Sequence, residues 1–159
     1  MNSSPTADKR TEELAQHLFD VLTRFCLAVP RGRRRSGELK EIEFLTLSLL
    51  HQHQRMIVGD IQRHLGILPA QMSRIIRALE SRNKPLISCR INAEDKRKID
   101  VILTNEGMEA FKEYQSLRVQ TIAGILDKLE PEEREELDRL VDRLRQMIRE
   151  PLLPASLGV

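Results

Sequence analysis

Two short runs, Leu86–Ile91 and Lys98–Leu103, limit what this chain can fold into more than anything else in it. Ile87, Cys89 and Ile91 alternate with Leu86, Ser88 and Arg90, and Ile99, Val101 and Leu103 alternate with Lys98, Asp100 and Ile102. A period of two with many β-branched residues reads as strand, and the six-residue loop Asn92–Arg97 joins the runs into a β-hairpin. The tip carries Asp95, Lys96 and Arg97, with Lys98 just after. A solvated turn would explain these charges, and so would a finger aimed at a polyanion.

Around the hairpin the periodicity is helical. From Thr11, Leu14, Leu18, Val21, Leu22 and Phe25 form a stripe that Pro30 and Gly32 end. A second helix over about 39–53 carries Leu39, Ile42, Leu45, Leu49 and Leu50. VGDIQRHL at 58–65 predicts a short helix with Ile61 and Leu65 inward, stopped by Gly66. After a sharp turn, Pro69 suits the first position of the next helix, AQMSRIIRALESR. There Met72, Ile75, Ile76 and Leu79 make one apolar face. The opposite face, with Ala70, Gln71, Ser73, Arg74, Arg77, Ala78 and Ser81, has no acid before Glu80. A small, polar, cationic face of this kind suits phosphates and base edges. Thr104 caps a long helix over about 105–128, and Pro131 opens another with Leu137, Leu140, Val141, Leu144, Met147 and Ile148. A stripe this wide on a terminal helix needs covering, from within the fold or from a second copy of the chain.

Charge is unevenly placed. The formal net charge is +2, but residues 31–100 hold 15 Lys/Arg against 8 Asp/Glu, leaving the flanks acidic. A basic centre between acidic flanks points to a polyanion-binding part and a part with another task. Aromatics are only 3% of the chain, which argues against a base-stacking platform for single strands. Two cysteines make no disulfide framework, no signal peptide is evident, and no run of 18 apolar residues exists, so a cytoplasmic chain with no membrane partner is expected. No phosphate-cradling glycine loop or supported Ser/His/Asp set is present, so neither an enzyme nor a bound cofactor is expected.

Helix, short helix, tight turn, cationic helix and charged-tip hairpin, in that order, is a winged helix-turn-helix. At residue level the chain resembles the MarR family of bacterial transcription regulators. VGDIQRHLG at 58–66 resembles the motif's first helix, LPAQMSRIIRALESR at 68–82 its recognition helix, and DKRKIDVILTNEG at 95–107 the wing signature. The likeness is good over about 55–130. It implies a mainly α (α+β) fold: a winged helix-turn-helix lobe at 39–104 with its wing at 86–103, dimerisation helices at 10–30 and 105–150, and flexible tails at 1–9 and 151–159. It implies Asp95 ordering the wing, Arg97 in the minor groove, Lys96 on phosphate, and Gln71, Ser73 and Arg74 at the major groove. Arg77 and Lys98 join them as cations facing phosphate or water. The family's pattern is a homodimeric repressor on a pseudo-palindromic double-stranded operator, released by a small-molecule effector.

Three departures from that pattern stand out. Ile57 and Leu68 occupy the N-cap positions where the family carries Ser, Thr or Asp. Arg82-Asn83-Lys84-Pro85 replaces the glycine that follows the recognition helix, with Asn83 able to take a left-handed conformation in its stead. The linker RGRRR at 31–35 is unusually basic, either a solvated loop or an added phosphate contact. Two other functions stay open: a winged-helix protein-interaction module without a DNA target, and a thiol-based redox regulator using Cys26. The Cys26 thiol could be acidified by Arg24 and the 31–35 cluster, or could simply be a small buried hydrophobe. A zinc site among His51, His53, His64 and Cys89 lacks both the spacing and a carboxylate partner.

Overall fold

The computed structural model describes residues 5–28 and 38–148. The elements run α1 (Pro5–Ala28), α2 (Glu41–His53), β1 (Arg55–Ile57), α3 (Val58–Leu65), α4 (Pro69–Glu80), β2 (Ile87–Ile91), β3 (Ile99–Leu103), α5 (Asn105–Leu126) and α6 (Pro131–Met147). Two compact units meet in sequence at Val119 and Gln120. The fold is that of a winged helix: helices dominate, and one three-stranded antiparallel sheet has the order β1-β3-β2.

The hairpin pairs as its alternation requires, with Ile87 opposite Leu103, Cys89 opposite Val101 and Ile91 opposite Ile99. The third strand escaped the periodicity. Residues 55–57 are too few to show a period, yet they pair with β3, placing Met56 opposite Val101 and Ile57 opposite Asp100. Met56 is buried by that pairing.

The core of the first unit is built from α2, α3, α4, the sheet and the start of α5. Leu47, Leu50, Ile61, Met72, Leu79, Ile87 and Val101 are all but fully buried. Each such side chain contributes roughly 1.5–3 kcal/mol relative to exposure. In α2 the expected stripe is partly displaced: Leu45 faces outward, while Thr46 and Leu47 are buried. The segment EFLTLSLL is apolar on nearly every side, so its pattern does not choose a face.

Turns follow local chemistry. Gly66 adopts φ 61, ψ 33, and its N–H bonds back to the Arg63 carbonyl, ending α3 as a left-handed cap. Asn83 does not take up a left-handed conformation; among the described non-glycine residues only Gln54, after α2, has positive φ, at 62. The turn after α4 therefore closes without a left-handed residue. Thr104 caps α5: its Oγ1 accepts the Gly107 N–H and donates to the Pro85 carbonyl. Gly107 is obligatory, because a Cβ there would lie 2.0 Å from the Leu86 carbonyl oxygen.

α1 already includes residues 5–9, ahead of the Thr11 start that the periodicity predicts. Its side chains from Lys9 to Arg24 are all exposed, including Leu14, Leu18, Phe19, Val21 and Leu22. In the second unit, α6 starts on a capping arrangement in which Glu133 Oε2 accepts the Glu130 N–H. It leaves Leu140, Val141, Leu144 and Met147 exposed.

Candidate nucleic-acid interface

α4 buries Met72, Ile75 and Leu79. This turns Gln71, Ser73, Arg74 and Arg77 outward, and all four are exposed. Among the described residues neither arginine takes part in an ion pair. Leu68 sits at the N-cap with φ −72, ψ 149 and gives no side-chain cap; Ile57 does the same for α3. The first N–H groups of both helices thus lack side-chain acceptors. Ser73 Oγ donates to the Pro69 carbonyl at 3.0 Å, which leaves its lone pairs for an outside donor.

The hairpin tip is more ordered than a charged loop would suggest. Asp95 Oδ1 accepts the Arg97 backbone N–H at 3.1 Å and its Nε at 3.2 Å. Lys98 Nζ lies 3.5 Å from Asp95 Oδ2. These bonds, with Arg97 foremost, hold the Asp95 carboxyl below the usual carboxylate range. The Arg97 side chain is nevertheless 91% exposed, and Lys96 is exposed beside it. The backbone closes the tip through Asn92 N–H to the Lys98 carbonyl and Lys98 N–H to the Asp95 carbonyl.

Between α4 and the hairpin lies a cleft of about 260 Å³ lined by Val58, Ser73, Ile76, Arg77, Glu80, Cys89 and Ile99. It sets Ser73 and Arg77 beside the base of the wing, whereas none of Asp95, Lys96, Arg97 or Lys98 lines it. The Cys89 thiol is pushed up to about 11 by burial first, then by the Glu80 charge and a hydrogen bond with Glu80. A thiol so disposed stays protonated at neutral pH.

A second, smaller depression of about 180 Å³ is lined by Glu41, Phe44, Leu45, Tyr114 and Arg118. Phe44 stacks on Tyr114, with centroids 4.3 Å apart, and Arg118 lies over the Tyr114 ring while donating to its hydroxyl at 2.6 Å.

Two polar supports go beyond what the sequence predicts. Asn92 Nδ2 donates to Asp100 Oδ1 at 2.9 Å, and Asp100 is buried in the middle strand. An aspartate inside a β-branched run was the available signal. Arg82 donates to the buried Glu43 at 3.0 Å across 39 positions, which no local pattern announces.

Other expectations meet the structure unevenly. The Cys26 side chain and the Arg31–Arg35 cluster lie outside the described residues. His51 packs on Phe111, and His53 and His64 lie 6.1 Å apart between centroids. Among the described residues no group of three or more His, Cys, Asp or Glu is placed to hold a metal ion, and no helix is long and apolar enough to cross a membrane.

Comparison with known proteins gives a consistent picture. The MarR family model matches residues 39–99. The HTH-type transcriptional repressor MdtR of Bacillus subtilis is 29% identical over 104 residues, covering 65% of this chain and 66% of that protein's length. The YusO protein of Bacillus subtilis superposes with a TM-score of 0.64 at 24% identity, over 91% of this chain and 99% of YusO. BpsR of Bordetella bronchiseptica, a structure concerned with regulation of DNA binding by 6-hydroxynicotinic acid, gives 0.58 at 21% identity, over 84% and 98%.

Proposed function

We propose that the chain is a member of the MarR family and a homodimeric, sequence-specific, double-stranded DNA-binding transcriptional regulator: a cytoplasmic repressor released by a small-molecule effector. The observation that carries this reading is the pairing of two cationic elements on one lobe. The exposed face of α4 holds Arg74 and Arg77, neither ion-paired among the described residues, and the adjoining wing holds Arg97 out in solvent. In this reading Gln71, Ser73 and Arg74 meet base edges in the major groove, Arg97 enters the minor groove, and Arg77, Lys96 and Lys98 face phosphates. Asp95 keeps the tip in shape.

Dimerisation is supported by apolar surface left bare on the single chain. Leu14, Leu18, Phe19, Val21 and Leu22 of α1, and Leu140, Val141, Leu144 and Met147 of α6, are all more than 40% exposed. Apolar stripes of that extent ordinarily meet a partner. A two-fold dimer would present two recognition helices to half-sites about one helical turn apart, hence a pseudo-palindrome. The depression lined by Phe44, Tyr114 and Arg118 is suited to a small aromatic or anionic effector, in keeping with the ligand-regulated DNA binding described for BpsR.

Selection of bound sequences from a random duplex pool, followed by mobility shifts at two salt concentrations, tests the reading. The expected outcome is a symmetric site whose affinity falls steeply with salt, because Lys and Arg release counterions from the phosphates. No salt-dependent shift at any protein concentration would instead make the lobe a protein-interaction module.

A further inference from the structure

The wing tip is tied to the sheet by one side chain. Asn92 Oδ1 accepts the backbone N–H groups of Glu94, at 3.0 Å, and Asp95, at 2.9 Å. Its Nδ2 donates at 2.9 Å to Asp100 Oδ1. An asparagine that only shaped its own turn would make the first two bonds and leave its amide nitrogen to solvent. Here the nitrogen is bound to the carboxylate of Asp100, whose side chain is only 9% exposed. Asp100 is itself held in place. It sits in the central strand, opposite Ile57 on one side and Arg90 on the other, with Arg55 Nη1 3.8 Å from its Oδ2. The connections therefore run from the sheet through Asp100 and Asn92 to the amides of 94 and 95, and from Asp95 to Arg97.

Resting on the DNA-binding reading above, we propose that Asn92 and Asp100 are positioning residues for the wing: together they fix where Asp95, and through it Arg97, stands relative to the sheet and α4. Neither has to touch DNA. A wing whose arginine is already placed loses less conformational freedom on binding than one that must be ordered by its ligand.

The test uses the full chain and four variants: Asn92→Ala, Asp100→Asn, Arg97→Ala and the double variant Asn92→Ala/Arg97→Ala. Affinity for a selected duplex should fall about tenfold for Arg97→Ala and by a similar factor for Asn92→Ala. The double variant should bind no more weakly than Arg97→Ala, because the anchor has no value without the arginine it places. Asp100→Asn retains an acceptor for Asn92 Nδ2 and should stay within about twofold of the parent. A purely structural role would not give this non-additivity. Multiplying losses in the double variant, or an Asp100→Asn that binds as weakly as Asn92→Ala, would overturn the proposal.

Backbone ¹⁵N order parameters of the free protein decide the point without DNA. Residues 93–98 should loosen in Asn92→Ala while the helices keep their order. An unchanged tip would refute the anchor even if affinity fell. A parent chain that binds no duplex refutes the DNA-binding reading instead, and the order parameters then judge the anchor alone.

Discussion

The Arg82 guanidinium lies 3.0 Å from the Glu43 carboxylate, joining the segment just after α4 to the first turn of α2. Glu43 is the more deeply placed partner, with its side chain 5% exposed against 24% for Arg82, and its Oε2 also accepts the Lys40 N–H. Removing the two partners is therefore not equivalent. Arg82→Ala strands a buried carboxylate and should destabilise the lobe by about 2–3 kcal/mol. Glu43→Gln keeps an acceptor for Lys40 and leaves an arginine that water can reach, so about 1 kcal/mol is expected. Urea unfolding of both variants measures this. Losses below about 0.5 kcal/mol for each would mean the pair behaves as an ordinary surface ion pair.

Two glycines of α5 should respond to alanine with opposite signs. At Gly107 the new Cβ meets the Leu86 carbonyl oxygen at 2.0 Å and Leu103 Cδ1 at 2.8 Å, and backbone cannot step aside as a side-chain tip can. Gly107→Ala should cost about 3 kcal/mol or more. At Gly124 nothing lies within 4 Å, so Gly124→Ala should gain about 0.5–1 kcal/mol of stability from helix propensity alone. Thermal melts of the two variants would contradict this account if they shifted in the same direction.

Cys89 should be a slow thiol. With its pKa near 11, only about one molecule in ten thousand carries the thiolate at pH 7. Alkylation by iodoacetamide, followed by mass spectrometry across pH, should show a rate still rising beyond pH 9. Glu80→Gln removes the nearby charge and should speed the reaction, but burial is the larger cause and will keep the thiol above its ordinary range. A rate that levels off at or below the ordinary thiol range would count against this environment.

The Asp95 carboxyl should titrate below the usual aspartate value, and Arg97→Ala should move it back up, since Arg97 supplies the largest downward influence. A group whose pKa is depressed in the folded state contributes above its unfolded value and loses that contribution as pH falls through the folded one. The tip should thus keep its order through neutral and mildly acidic solution and lose it only in stronger acid. Carboxyl ¹³C shifts followed with pH provide the measurement. An unchanged midpoint in Arg97→Ala would remove Arg97 as the cause.

Where the chain signals its fold locally, the signal was readable. Gly66 and Pro69 bracket a turn because one tolerates positive φ and the other pre-sets the first helical residue, and α3 and α4 begin and end close to where those residues require. The alternation through 87–91 and 99–103 fixed the hairpin register for the same local reason. What stayed hidden depends on distant partners. Nothing in Arg-Met-Ile reveals a strand until β3 lies beside it. The choice between Leu45 and Leu47 is made by neighbours from other elements. Of the candidate site, the outward face of α4 was legible in its own periodicity, whereas the Asp95–Arg97 contact and the Asn92–Asp100 bond emerge only from the folded hairpin.

That late-paired strand also bears on how the lobe assembles. β1 bonds only to β3, more than forty positions further along the chain, with α3, α4 and β2 lying between them. The β2–β3 hairpin spans a short loop and can close within microseconds, as can single helical turns. The β1–β3 ladder must wait for a long loop to close, and the entropy of that closure falls before its hydrogen bonds return anything. By loop-closure entropy the edge that completes the sheet is expected to pair after the β2–β3 hairpin has closed, and a chain interrupted before Ile99 leaves Met56 with no strand to lie against.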